Sequence, residues 1–317
     1  MSNFIYYALG AFGFIGLFYG GNILVKGTVQ TASSLNIPAH LIAITIVALG
    51  TSAPELVVSI NAVFKGSPDL AWGNVVGSNI ANLLLVIGGA SLFITLKDES
   101  KSLRLDIFWM ILSTTIIFIF GYYYQGLSPF VGFLLILSLF FILILMTINT
   151  EKNEELHDGN NSNNYFSPVI IGLFFTFGGI AIVLISSEIL INSAIKISID
   201  LGIEESLIGV TIVALGTSLP EIAASVAAAR KGYADIAIGN VLGSNLFNSL
   251  GILGAASIAS YPINLQTPST FLGYDLPVMM LVTIILGAYL FYFKSINRKF
   301  GPFLLLLYMV YILINFA

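Results

Sequence analysis

The sequence predicts an all-α integral membrane protein, with ten transmembrane helices in two inverted-topology repeats of five. Three observations carry this. First, 57% of the 317 residues are hydrophobic and only 9% are charged, with a mean hydropathy of +0.96, against about 25% charged residues in an ordinary soluble domain. Second, apolar stretches of the ~20 residues needed to cross a bilayer recur along the whole chain. Third, the chain repeats itself at a constant shift of 166 residues. A formal net charge of -4 and the absence of cysteine also argue against a nucleic-acid binder and a secreted disulfide scaffold.

Cutting the chain at polar and Gly/Pro-rich breaks places helices at 4–31, 40–64, 70–96, 104–124 and 128–149, then at 167–197, 206–229, 236–259, 271–293 and 300–316. The first starts almost at Met1 without a basic leader, so it reads as a retained helix and not a cleaved signal. The first and sixth are long enough to need tilt. Residues 1–150 and 167–317 are then the two five-helix halves, joined by a polar, acidic stretch at 151–166. That stretch is too short for a soluble domain, and no Gly-rich phosphate loop ending in Gly-Lys-Ser/Thr occurs, so no nucleotide and no catalytic role is expected.

Basic residues accumulate in cytoplasmic loops. With ten helices and an external N-terminus, ten of the 12 Lys and Arg residues fall inside, leaving Lys65 and Lys196 outside. Both termini are therefore expected outside a plasma membrane, with 151–166 in the cytoplasm.

Between Leu41–Asn82 and Leu207–Asn248 about 25 of the 42 ungapped positions are identical. Five helices per copy is an odd number, so the second copy enters the membrane from the opposite side. Inverted repeats with interrupted helices at the midplane recur in secondary transporters. A passive cation channel could share that symmetry.

The matches concentrate in two blocks. One reads Ala48-Leu49-Gly50-Thr51-Ser52-Ala53-Pro54-Glu55, repeated as Ala214-Leu215-Gly216-Thr217-Ser218-Leu219-Pro220-Glu221. Each proline withholds a donor from the carbonyl of Gly50 or Gly216. Carboxylate, hydroxyls and loosened carbonyls, three and four residues apart, can then converge as an all-oxygen set suited to hard cations. The other block reads Gly73-Asn74-Val75-Val76-Gly77-Ser78-Asn79-Ile80-Ala81-Asn82, with Asn240, Ser244 and Asn248 as the counterparts of Asn74, Ser78 and Asn82. Gly73 and Gly77 are expected to let this helix approach the proline-bent one.

Membrane Ser, Thr, Asn and Gly residues commonly serve as packing or interhelical glue. Glu55 and Glu221 differ, because an acid at a helix centre costs about 3 kcal/mol and these two have no basic partner in sequence. They point to a bound cation or proton. Glu188 matches Asn22, so its role reads as peripheral; Asp69 and Asp235 read as solvated helix-start residues. His40 and His157 read as loop residues without metal-ligand spacing.

Together the two blocks resemble the paired alpha repeats of prokaryotic sodium/calcium exchangers of the cation/Ca²⁺ antiporter superfamily. The resemblance covers essentially the whole membrane domain. It implies that the second, third, seventh and eighth helices surround the ions while the first and sixth slide as a gate. It implies Ca²⁺ held by Glu55, Glu221 and the backbone oxygens of Thr51 and Thr217. Na⁺ sites would add the carbonyls of Ala48 and Ala214 with Ser52, Ser78, Ser218 and Ser244, and Asn82 and Asn248 would complete the central layer. Na⁺, Ca²⁺ and the bilayer are the partners implied; no cofactor and no partner protein is. Potassium-dependent members carry an acid where Asn248 stands, so the amide argues for K⁺-independent exchange, expected at 3 Na⁺ to 1 Ca²⁺. H⁺-coupled exchange stays open, because buried glutamates also carry protons.

Overall fold

The computed structural model describes residues 2–148, 166–200 and 214–316. The chain forms a helical bundle in the order α1 (Ser2–Leu35), α2 (Ala39–Thr51), α3 (Ala53–Phe64), α4 (Pro68–Ser91), α5 (Leu103–Tyr122) and α6 (Pro129–Ile148). There follow α7 (Phe166–Asp200), α8 (Ala214–Thr217), α9 (Leu219–Arg230), α10 (Ala234–Ala259), α11 (Ser269–Gly273), α12 (Asp275–Phe293) and α13 (Gly301–Phe316). Among the described residues, eight helices are long and apolar enough to cross a bilayer. They become nine when α2 and α3, bent by 41°, count as one broken span. The first part of the helix expected at 206–229 lies outside the described residues, as does nearly all of the 151–166 connection.

The fold is all-helical apart from short connections. Four two-residue strands, β1 (Leu96–Lys97), β2 (Gly126–Leu127), β3 (Leu265–Gln266) and β4 (Ser295–Ile296), form antiparallel ribbons β1–β4 and β2–β3. The helix expected to run to 96 stops at Ser91 for this reason. Where a connection leaves a helix end, its exposed backbone groups need partners, and a short ribbon supplies them. The ribbons also fix direction: α5 runs from β1 to β2 and α12 from β3 to β4, so the two helices are antiparallel and the ribbons cap opposite ends.

The helices α1 and α7 pack along their whole length with opposite directions, as Gly13 against Leu190, Gly16 against Ser186, Gly20 against Val183 and Gly172 against Thr31 show. A β-carbon built on Gly27 would lie 2.3 Å from the Thr176 nitrogen. Lipid offers no hydrophobic drive for helix association, so such backbone proximity supplies the packing energy. A second set of helices, α4 and α10 with the breaks of α2–α3 and α8–α9, makes the polar centre.

Candidate ion-binding site

The centre is built on two helix breaks. At Ser52 the backbone leaves helical geometry (φ -83°, ψ 7°), and α3 restarts with Pro54 and Glu55 in its first turn. At Ser218 the same occurs (φ -84°, ψ 0°), with Pro220 and Glu221. Each break brings the carbonyl end of one helix and the amide end of the next to one place. The amide ends favour the carboxylates, and the terminal carbonyls of Thr51 and Thr217 face a break where a cation can use them. Of the carbonyls that the prolines release, Gly216 O accepts the Ser187 hydroxyl at 3.2 Å. Ala214 opens α8, and Ala48 O accepts both the Ser52 amide at 3.0 Å and the Thr51 hydroxyl at 3.3 Å.

Two further helices, α4 and α10, carry the amide stripes. Each has a π-helical turn, Asn82–Val86 and Phe247–Ile252, placed where Asn82 and Asn248 sit. Such turns widen the helix and expose backbone and side-chain oxygens, which is why they gather at functional sites.

Hydrogen bonds across the two halves are reciprocal. The Thr51 hydroxyl donates to Asn240 Oδ1 at 3.3 Å, and the Thr217 hydroxyl donates to Asn74 Oδ1 at 3.4 Å. Behind each amide the same serine accepts: Asn74 Nδ2 donates to Ser59 Oγ at 2.9 Å, and Asn240 Nδ2 to Ser225 Oγ at 3.0 Å. Ser52 Oγ donates across to Glu221 Oε1 at 3.0 Å, and Ser244 Oγ donates to the same oxygen at 3.4 Å. Asn82 Nδ2 donates to Asn245 Oδ1 at 3.0 Å, which leaves its own oxygen free.

All of these groups are buried except Asn74, which is half-buried, and Glu55 and Glu221 are completely so. Yet among the described residues both carboxylate oxygens of Glu55, Glu221 Oε2, Ser218 Oγ, Asn82 Oδ1 and both polar atoms of Asn248 have no hydrogen-bond partner. The ion pairs among the described residues involve His40, Asp98, Asp106, Lys97 and Glu99, never these glutamates. An unpaired buried carboxylate costs several kcal/mol, so this concentration of vacant oxygens fits a bound cation. No group of three or more His, Cys, Asp or Glu side chains suited to a metal occurs among the described residues. The donor set is two carboxylates with hydroxyls, amides and carbonyls, as hard monovalent and divalent cations require.

Several expectations change. Gly73 and Gly77 do not bring α4 against the proline-bent helix: Gly73 faces the Phe271 ring, and among the described residues a β-carbon on Gly77 would meet nothing. The close approach is made by their counterparts across the halves, where a β-carbon on Gly243 would lie 2.3 Å from Ile44 O of α2. Ser78 turns its hydroxyl to Asn74 O within its own helix and not to a glutamate. His40 is no loop residue; it lies in the first turn of α2, buried between Asp98 and Asp106. Sequence spacing could not reveal this, because both partners are remote in the chain. Asp235 is half-buried beside it rather than solvated, whereas Asp69 is exposed as expected; Glu188 is exposed, and His157 lies outside the described residues. Ser59, Ser225, Asn79 and Asn245 were not singled out as site residues, although each matches its partner at the 166-residue shift.

Known proteins resemble this chain in sequence and in fold. The family of sodium/calcium exchanger proteins matches residues 5–148 and 171–317. The putative antiporter CaxA of Alkalimonas amylolytica is 34% identical over 316 residues, covering 94% of this chain and 95% of that protein. The sodium/calcium exchanger MaX1 of Methanosarcina acetivorans is 30% identical, with 96% of each chain covered. Among solved structures, the sodium-calcium exchanger NCX_Mj superposes with a TM-score of 0.84 at 28% identity, covering 97% of this chain and 98% of that one.

Proposed function

The chain belongs to the sodium/calcium exchanger family, a family of multi-pass membrane transporters, and from that premise we propose that it exchanges Na⁺ for Ca²⁺ by alternating access. The observation that carries this reading is the pair of buried carboxylates at matching helix breaks, Glu55 with neither oxygen hydrogen-bonded and Glu221 with Oε2 left without a partner, and neither in an ion pair among the described residues. Ca²⁺ takes both carboxylates with the Thr51 and Thr217 carbonyls. Na⁺ ions use Ser52, Ser78, Ser218, Ser244 and the Ala48 and Ala214 carbonyls, with Asn82 and Asn248 in the central layer. Ala48 O serves only once the Thr51 hydroxyl releases it.

In this reading the ten helices form two inverted halves, 1–150 and 167–317, joined by 151–166. The antiparallel course of α1 and α7 and the reciprocal Thr–Asn pairs support that arrangement. Alternating access then moves the glycine-packed α1–α7 pair over the break-bearing helices. The location is the plasma membrane, with both termini outside.

Two carboxylates neutralise one Ca²⁺, whereas three Na⁺ leave a net positive complex. Expelling Ca²⁺ against a ten-thousandfold gradient and a 100 mV inside-negative potential costs ~10 kcal/mol. Each Na⁺ entering down a tenfold gradient supplies ~3.7 kcal/mol. Two ions fall short and three suffice, so exchange is electrogenic at 3:1. The amide at Asn248 makes it independent of K⁺.

The test is Ca²⁺ flux in proteoliposomes with Na⁺, K⁺ and H⁺ gradients imposed separately. Na⁺-driven, voltage-sensitive Ca²⁺ movement is expected. Flux driven by pH alone would replace this reading with H⁺ coupling, and Ca²⁺ flow without a counter-ion would make the protein a channel.

A further inference from the structure

The His40 imidazole is 2% exposed and stands between two carboxylates that transport does not use. Its Nε2 lies 2.9 Å from Asp106 Oδ2 at the start of α5. Its Nδ1 lies 2.9 Å from Asp98 Oδ2 in the connection after β1, and 3.1 Å from the Asp235 carbonyl at the start of α10. Both ring nitrogens therefore face acceptor oxygens alone. A neutral imidazole has one donor, and its second nitrogen would turn a lone pair on a carboxylate. We propose that His40, Asp98 and Asp106 form a proton-binding site, separate from the transport carboxylates, through which pH at one end of the molecule governs the rate of exchange.

The other groups around the ring fit this assignment. Asp235 adds a half-buried carboxyl from α10, while α1 presents only Val29, Ala32 and Ser33 and α6 only Met146 to the adjoining cavity. Lys97, Glu99 and Lys101 line that cavity too, with Lys97 paired to Glu99. Burial raises the Asp98 carboxyl, but hydrogen bonding and attraction from His40, with Ser100, outweigh it and hold Asp98 below the usual carboxylate range.

The site is one-sided. At a shift of 169 residues Asp106 corresponds to Asp275 and Asp98 to Thr267, while His40 at 166 corresponds to Ser206, outside the described residues. Asp275 accepts instead from Tyr311 Oη at 2.8 Å. Because ribbons β1–β4 and β2–β3 cap opposite ends, the imidazole cluster marks only the β1 end.

With its proton bound, the ring fastens the start of α2, the helix that leads to Thr51 and Ser52, onto α5 and the β1 connection. The fastened form holds more protons than the released one, so acid favours it and alkali frees it. Fastening restrains rearrangement at the Ser52 break, and loss of the ring proton as pH at this end rises above neutral speeds exchange. That coupling rests on the antiport reading; the protonation does not.

Two measurements test it. In ¹⁵N-histidine-labelled His157→Gln protein in nanodiscs, His40 should show two protonated ring nitrogens at neutral pH, and the Asp98→Asn, Asp106→Asn double variant should show one. A neutral ring in the intact cluster would overturn the site. In proteoliposomes at saturating Ca²⁺, raising the pH at the β1 end above neutral should speed wild-type flux about fivefold, the same change at the other end should leave it unchanged, and His40→Gln should be fast and flat. A His40→Gln profile equal to wild type would overturn the coupling. Should His40→Gln fail to insert, Asp98→Asn takes its place with the same expectation. A protonated ring in a protein that moves no Ca²⁺ under any gradient would sink the antiport reading alone.

Discussion

A carboxylate in a bilayer needs a compensating positive charge, and at Glu55 and Glu221 no side chain among the described residues provides one. Replacing either by glutamine keeps the shape and removes the charge. Losing one member of a buried charge set costs roughly 3 kcal/mol or more, so Glu55→Gln and Glu221→Gln should each lower Ca²⁺ exchange by at least about a hundredfold. Radiotracer uptake alongside a surface-labelling check of insertion reads this directly. The carboxylates are also unequal. Glu221 is held by Ser52 from the other half, while Glu55 has no such donor among the described residues. Ser52→Ala should therefore weaken apparent Ca²⁺ affinity about tenfold, the worth of a hydrogen bond to a charged group, and an unchanged half-saturation concentration would contradict that link. The glutamates were legible from repetition alone, since two acids in apolar surroundings at one constant shift have few structural uses. Which serine holds which glutamate was not, because the link joins residues 169 apart.

At the scale of elements, the broken helices and the α1–α7 pair have different sequence signatures. Proline in each first block announced the breaks at Ser52 and Ser218. The glycines of α1 and α7 were visible only as composition, and their partners come from the opposing helix. Neighbouring glycines in α7 make the point: a β-carbon on Gly179 would lie 2.4 Å from the Leu24 nitrogen, whereas on Gly178 it would meet nothing among the described residues. Gly179→Ala should destabilise the protein by about 1–3 kcal/mol, the cost of overpacking, and Gly178→Ala should be neutral. Thermal unfolding in detergent separates the two, and equal midpoints would count against this packing. The π-turns and the two ribbons had no sequence signal at all; they arise where the bundle must widen for the amides or satisfy backbone groups at its ends.

For the whole molecule, orientation follows from where the few charges can sit. Because the chain contains no cysteine, single cysteines report cleanly. Lys65→Cys should react with an impermeant maleimide added outside intact cells, and Lys101→Cys only after permeabilisation; the reverse pattern would invert the topology. The sequence by itself determined that the chain is a membrane protein, that its helices repeat after 166 residues, and that two glutamates lie at matching breaks. Those are local or periodic properties, set by hydropathy, proline chemistry and duplication. Only the tertiary structure decided that the halves exchange hydrogen bonds through Thr51 with Asn240 and Thr217 with Asn74, that Gly243 and not Gly77 makes the close approach to α2, and that His40 is clasped by two aspartates. Each of these joins groups far apart in the chain, and a buried polar atom is satisfied by whatever oxygen or nitrogen the packing brings within 3 Å or so, which no spacing along one strand of sequence records.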